Sequence, residues 1–270
     1  MKTPSLNHTR ITIGSALAAA TICCLNQTVN AQPITVANHS FESQVVNPMF
    51  FVDNRIDHWQ KTPQPGWFTP VGQLQSWDQT AGMFIGTPGF SSTPYSNLAG
   101  SQSAYIYSLP GAGIFQDNLS TDWNGAVGGL NATFQPGYSY QFTLGVFGKS
   151  MVENYSSLKM SIFYRDGANQ VAVGTPTIVT FNSSTFDLSG PTYSLVDFTV
   201  ATPIVQPGDA WAGKNIGISI VSDLATGAGY WDLDNVRLTA VVPEPSACAL
   251  AALGAVGLLL GRNRARTKRQ

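Results

Sequence analysis

Between residues 32 and 241 the chain has no cysteine; its three cysteines stand at 23, 24 and 248, close to the two ends. A disulfide framework, a thiolate metal site and a cysteine nucleophile are thereby excluded for the central part of the molecule. Stability has to come from a large apolar core. Positive charge is nearly as scarce. Over the same residues fourteen Asp and Glu face seven Lys and Arg, which leaves a net charge of −7. Without a basic stripe the chain has nothing on which phosphates could settle, and nucleic acid is excluded as a partner. The central region also lacks H-E-x-x-H, G-x-S-x-G and P-loop patterns. His39 and His58 are its only histidines. His39 reads as structural, and His58, beside Asp57 and Trp59, is the one candidate base. The expectation is a protein that is not an enzyme. A glycosidase stays open as an alternative, because its two carboxylates need only a spatial separation of about 5–9.5 Å.

What the sequence has in quantity is turn chemistry. Gly occurs 26 times and Pro 16 times, concentrated in stretches such as "TPQPGW", "GTPGF", "SLPGAG", "FQPGY" and "QPGDAWAG". Short alternating or β-branched runs lie between them: 34–41, 103–109, 138–148, 158–165, 175–181, 193–201, 215–222 and 229–241. In "YQFTLGVFG", Tyr140, Phe142, Leu144 and Val146 share one face of an extended chain. No segment has a helical period. The pattern predicts one all-β domain over 32–241, a sandwich or jelly roll.

The two ends differ in kind. Residues 1–31 read as a signal peptide: Lys2 and Arg10 precede the apolar "ITIGSALAAATICCL". Val29 and Ala31 then provide small residues before a cut at Gln32. At the other end, residues 242–270, the apolar run 247–260 would make about 21 Å of helix at ~1.5 Å per residue. That is short of a ~30 Å bilayer core, but flanking Ser246, Gly261 and snorkelling arginines could extend it into a single transmembrane helix. The cations behind it would hold the C-terminus on the cytoplasmic side. Pro243-Glu244-Pro245, the apolar run and Arg262, Arg264 and Arg266 together resemble the PEP-CTERM sorting signal of Gram-negative bacteria. The resemblance implies cleavage near the Pro-Glu-Pro by an exosortase, after signal peptidase has acted and after transient anchoring in the inner membrane. It also implies a cell-surface or extracellular-matrix destination, in the company of exopolysaccharide and biofilm.

A second resemblance spans the central domain. "NHSFE", "PGW", "GSQSAYI", "FQPGYSYQFTLGV" and "WDLDNVRLTAV" are similar in order and spacing to galactose-binding-like jelly rolls, the fold of many carbohydrate-binding modules. The resemblance implies a structural Ca²⁺ between the first and last strands, with Asn38, Glu42 and Asp234 as candidate ligands; Ca²⁺ takes six to eight hard oxygens. The alternative is that Glu42 and Asp234 are a solvated edge and a turn carboxylate. Trp67 and Trp231 match core positions of that family. Trp59, Trp77, Trp123 and Trp211 lie among polar, Gly or Pro residues and are expected to be more exposed. Trp77 with Asp78, and Trp123 with Asn124, combine a flat ring with orienting polar groups, as a sugar face requires. Aromatics that merely plug loops onto the sandwich are the competing reading.

The combined expectation is an exported, exosortase-processed, non-enzymatic surface or matrix protein that binds extracellular carbohydrate. A structural surface protein without a sugar ligand and an exported glycan-cleaving enzyme are the alternatives. Cell fractionation checks the sorting part. Full-length chain is expected in the inner membrane and shortened chain outside the cell, and alanines in place of Pro243, Glu244 and Pro245 should trap the anchored form.

Overall fold

The computed structural model describes residues 30–50, 52–70, 74–87, 94–148, 152–224 and 229–242. Residues 1–29 of the expected signal peptide and the expected sorting residues Pro243, Glu244, Pro245, Arg262, Arg264 and Arg266 lie outside the described residues, whereas Asn30 and Ala31 begin the first strand. Among the described residues no helix is long and apolar enough to cross a membrane.

Residues 32–240 form one compact unit built from two antiparallel sheets. In chain order the strands are β1 (Asn30–Ile34), β2 (Val52–Asp53), β3 (Gln60–Lys61), β4 (Ala81–Ile85), β5 (Gln102–Tyr107), β6 (Gly113–Gln116) and β7 (Ser139–Gly148). They continue as β8 (Ser157–Asp166), β9 (Asn169–Ala172), β10 (Thr177–Thr180), β11 (Val196–Ala201), β12 (Gly217–Ser222) and β13 (Tyr230–Val242). The first sheet runs β11-β7-β13-β5-β4-β2, with β1 also paired to β13; the second runs β10-β8-β12-β6-β3, with β9 on β8. One 3₁₀ turn, Trp77–Thr80, leads into β4. The expected all-β sandwich is what the chain forms.

Side-chain alternation decides what lies between the sheets. On β7, Tyr140, Phe142, Leu144 and Val146 are buried in the common core, and on β8 and β12 so are Leu158, Met160, Ile162, Ile218 and Ile220, with Ile216 just before β12. β5 contributes Ala104 and Ile106. The intervening residues of the same strands face outward, among them Tyr105 on β5 and Phe147 on β7. β11 runs beside β7 with Phe198 opposite Leu144 and Val200 opposite Phe142, so the core face continues across the pair.

Seven of the eight expected runs become strands. The eighth does not: the run 34–41 leaves the sheet after Ile34 and turns. Asn38 and Phe41 have φ of 48° and 56°, and the Phe41 N–H bonds to the Asn38 carbonyl at 3.2 Å. Alternation there was local coincidence, because Phe41 is buried by a turn rather than by a pleat. β4 and β6 carried too weak a pattern to be read from sequence. Both have Gly in or at the start of a run of four or five residues, and both owe their strand form to neighbours on each side.

β13 holds the feature on which the rest of the molecule turns. Trp231 and Leu233 point into the core, and so do Val236, Leu238 and Ala240. The inward parity therefore switches from odd to even between 233 and 236. Asn235, at φ 57°, absorbs the extra residue as a bulge does, and its Nδ2–H is held by the Asn97 carbonyl at 2.8 Å. As a result Asp232 and Asp234 both project from the outer face of the first sheet. A β-branched residue at that φ costs about 1–3 kcal/mol, whereas Gly adopts it freely. Denaturant unfolding should therefore show Asn235→Val destabilised by about that amount, with Asn235→Gly losing less.

A buried acid–phenol pair on the outer face

Asp232 and Asp234 are 1% and 0% exposed although they leave the core, so something covers them. The cover is the chain from 94 to 102, which returns from the end of β4 to the start of β5 across the outer face. Sequence makes this strap rigid at three points. The Asn97 amide clamps Leu195, its Nδ2–H donating to the Leu195 carbonyl and its Oδ1 accepting the Leu195 N–H, both at 2.9 Å. Tyr95 and Tyr193 form a parallel bridge, with the Ser96 N–H on the Tyr193 carbonyl at 3.0 Å. The Ala99 N–H donates to Asp234 Oδ2 at 2.6 Å.

Beneath the strap the Tyr95 hydroxyl donates to Asp232 Oδ2. Burial raises the Tyr95 phenol far above its ordinary range, and the charge of Asp232 adds to that effect. The phenol keeps its proton and fixes the carboxylate. Aromatic rings surround the pair. Tyr105 is the cross-strand partner of Asp232, and Tyr107 that of Tyr230. Tyr230 meets Tyr105 and Tyr107 edge-on at 5.5 and 4.9 Å. On the other side, an added Cβ at Gly148 would meet the Trp231 ring and one at Gly145 the Asp234 carbonyl; β7 thus runs antiparallel to β13 and places Phe147 beside Asp232. Phe147 lies 5.6 Å from Tyr95 and stacks on Tyr193 at 4.4 Å. Gly82 faces Tyr105, whose hydroxyl and ring edge would lie 2.7 and 2.8 Å from a Cβ there. The absent side chain lets the Tyr105 ring lie flat and donate to Asn54 Oδ1 at 2.9 Å.

The expected metal residues separate under this geometry. Glu42 and Asp234 come together: Glu42 Oε1 accepts the N–H groups of Ser101 and Gln102 at 2.7 and 2.6 Å, and an added Cβ on Gly100 would strike its side chain. Burial pushes the Asp234 carboxyl up to about 7, the Glu42 charge pushes the same way, and the Ala99 and Asn235 N–H groups oppose both. Asp234 Oδ1 is buried with no hydrogen-bond partner. An orphaned carboxylate oxygen next to a second carboxylate fits a hard cation. Asn38 does not join them. Its Nδ2–H goes to the Asp57 carbonyl and its Oδ1 accepts the Ser43 N–H, so its amide holds the turn. Among the described residues no cluster of three His, Cys, Asp or Glu exists. Any further ligands would have to be carbonyls or water.

The expected sugar platform is also redistributed. Trp77 is buried, 5% exposed, its Nε1–H on the Thr62 carbonyl at 2.6 Å and its ring against Phe68; it is a plug. Asp78 pairs with Lys61 at 2.7 Å. Trp123 is 64% exposed, but Arg55 covers one face at 4.7 Å. Its partner Asn124 sits in a turn capped by Asp122. Trp59 is buried and Trp67 is 55% exposed, the reverse of expectation, while Trp231 is in the core as expected. His58 occupies a turn at φ 66°, away from the acid pair. Tyr95, Phe147, Tyr193 and Asp232 were not singled out from sequence. Only Asp232 left a signal there, as an acid two residues before Asp234 in an otherwise apolar strand.

Two solved structures share the fold. One is the Stig cyclase Fisc from Fischerella sp. TAU in complex with (3Z)-3-(1-methyl-2-pyrrolidinylidene)-3H-indole, at 18% identity, covering 78% of this chain and 98% of that chain, with a TM-score of 0.51. The other is a cyclase from Fischerella sp. TAU in complex with 4-(1H-indol-3-yl)butan-2-one, at 20% identity, covering 77% and 97%, with a TM-score of 0.52. The CBM22-1 xylan-binding domain from Paenibacillus barcinonensis is a more distant β-sandwich, at 12% identity, covering 80% and 99%, with a TM-score of 0.41. No curated protein matches the chain. The family model described as HpiC1 cyclase matches residues 32–239. This match overturns the expectation of a non-enzymatic surface protein associated with exopolysaccharide and biofilm, which rested on the terminal signal and on missing hydrolase motifs. Those motifs belong to hydrolases and nucleotide-binding proteins, and their absence does not bear on a cyclase. By the match over 32–239, the chain belongs to the HpiC1-like cyclase family.

Proposed function

We propose that the chain is a cyclase that closes a ring within an apolar, indole-type substrate on the outer face of the first sheet. Asp232 is the residue that exchanges the proton. The observation that carries this reading is the buried Tyr95–Asp232 pair inside an aromatic shell. The balance of the reaction is simple. A proton from Asp232 adds to a π bond of the substrate, and a second, internal π bond attacks the electron-poor carbon so formed. One carbon–carbon bond forms, and the proton lost afterwards returns to the carboxylate. The result is an isomer of the substrate. Phe147, Tyr105 and Tyr193 would favour a transient positive charge over a ring face by cation–π attraction. Tyr95 orients the carboxylate and does not titrate, since its proton is held far above its ordinary range. The indole ligands of the two Fischerella structures guide the choice of substrate class. The two terminal segments extend the reading: signal peptidase and exosortase would process an inner-membrane intermediate, and the enzyme would act outside the cytoplasm.

Glu42 and Asp234 would hold a structural Ca²⁺, with carbonyls completing its shell. A bound cation supplies positive charge between two adjacent carboxylates.

Two measurements check the proposal. With an indole-bearing alkene, product analysis should show an isomeric ring-closed product. Asp232→Asn should lower turnover by about 10²–10⁴-fold, the usual worth of a positioned general acid, and Tyr95→Phe should lower it less. Wild-type turnover in Asp232→Asn would remove Asp232 from the chemistry. The second measurement is a melting curve against pH. The folded-state pKa of Asp234 is raised from 3.8 to about 7, so the folded chain binds the extra proton. The stability this adds is fully present below pH 4 and is lost as pH rises through 7. Ca²⁺ should therefore raise the melting temperature more at pH 7.5 than at pH 5, and Asp234→Asn should abolish both effects. Equal curves with chelator and with Ca²⁺ at pH 7.5 would exclude the metal.

A further inference from the structure

At one end of the sandwich the inner layer stops being apolar. Ser108 follows Ala104 and Ile106 with the same inward parity, and Ser222 follows Ile218 and Ile220 in the same way. Ser108, Ser222 and Ser156 are 0%, 0% and 1% exposed, and the hydroxyl of each is buried without a hydrogen-bond partner. The indole N–H of Trp231, also 0% exposed, is in the same state.

These four groups come from both sheets and converge. Ser222 binds the turn between β5 and β6 at two points, its carbonyl accepting the Gly111 N–H at 2.8 Å and its N–H donating to the Ala112 carbonyl at 2.7 Å. Ser108 opens that turn and pairs with the far strand, its N–H on the Gly229 carbonyl at 3.0 Å. Trp231, two residues beyond Gly229, stands opposite Ile106. The benzo edge of its ring is turned toward β7, 3.2 Å from where a Cβ on Gly148 would be. The opposite edge, which carries Nε1, therefore faces β5 and Ser108. Ser156, the residue just before β8, adds the fourth group at this end, since Leu158 pairs with Ser222 and Ser156 stands two residues earlier. Phe181 and Phe186 pack against the indole at 6.3 and 6.2 Å and bound the site on the apolar side.

A buried hydroxyl or indole N–H left without a hydrogen bond is destabilising, and one such group would be ordinary. Four at a single end of one core are a site. We infer that this end of the sandwich holds a buried binding site for small hydrogen-bonding molecules, occupied by water bridging Trp231 Nε1, Ser108 and Ser222. The chemistry agrees: one obligatory donor and three hydroxyls that can donate or accept match the two to four partners an internal water takes. The site lies inside the sandwich, on the opposite side of β13 from Asp232, and is independent of the proposed catalysis. It also has a structural consequence. Phe186, which bounds the site, also packs on Phe147 at 5.6 Å, so the water-bridged end supports one wall of the acid pair.

The test uses the purified chain with ¹⁵N-labelled tryptophan, Trp231→Phe identifying the resonance. The Trp231 indole N–H should show a cross-relaxation peak to water despite its complete burial. Ser108→Ala combined with Ser222→Ala should reduce that peak at least severalfold while the other indole resonances keep their positions. A wild-type Trp231 N–H with no water cross-peak would overturn the inference, as would a peak unchanged in the double variant. If the double variant does not fold, the oxygen-17 relaxation dispersion of water over wild type decides. It should show at least one long-lived internal water beyond the number found for folded Trp231→Phe, and equal numbers would overturn the inference.

Discussion

Asn235 sets the positions of everything that follows from β13. A strand buried on its inner face has room for apolar side chains at every second position, and β13 obeys this on both sides of Asn235 with opposite parity. The switch has two effects. It returns Val236, Leu238 and Ala240 to the core, and it leaves Asp232 and Asp234 together on the outer face, roughly 7 Å apart along the strand at ~3.3 Å per residue. Two carboxylates there would normally be solvated. Here the strap 94–102 covers them and satisfies one oxygen of each, with the Tyr95 hydroxyl for Asp232 and the Ala99 N–H for Asp234. The Asn235 side chain in turn holds the strap at Asn97, so bulge and cover stabilise each other.

The same arrangement explains why neighbouring carboxylates serve different ends. Asp232 lies among Tyr105, Phe147 and Tyr95, where ring faces and a phenol surround it and where an electron-poor intermediate would be favoured. Asp234 lies toward Glu42 and backbone N–H groups, where a hard cation would be favoured. The two environments are separated by one residue of strand and by the direction in which the strap crosses it. Glycine appears where rings or backbone must approach closely. Gly82 admits Tyr105, and Gly148 admits Phe181 with Trp231 behind it.

The proposed site is compatible with a β-sandwich because the sandwich only supplies a rigid outer face. Function depends on what the loops and outward-facing residues add to it. In this chain the outer face of the first sheet carries Tyr105, Tyr107, Phe147 and Tyr230 around the acids. The tryptophans in polar stretches, which suggested sugar stacking, are spent on packing at Trp59 and Trp77 and on an arginine contact at Trp123.

The linear pattern alone determined the class of the fold. Turn residues between period-2 runs leave no other way to bury Tyr140, Phe142, Leu144 and Val146 together, and seven strands are legible for that reason. The lack of cysteine between residues 32 and 241 is likewise a matter of composition. The pairing of Glu42 with Asp234 was expected only from the resemblance to galactose-binding-like jelly rolls, not from any local pattern. Only the tertiary structure decided the site. Tyr95 and Asp232 are 137 residues apart, and Phe147 and Tyr193 reach them from two further segments. Nothing local to Tyr95, Phe147 or Tyr193 distinguishes it from an ordinary core aromatic, and the one local signal at Asp232, an acid in an apolar strand, names no partner. Whether Trp67 or Trp77 is buried was likewise beyond local reading, because burial depends on which loop folds back over which strand. The deciding quantity was the parity of β13, and one residue at a left-handed φ reversed it. Such a backbone state is set by the neighbours that hold it, in this case Asn97 on a strap from a distant part of the chain.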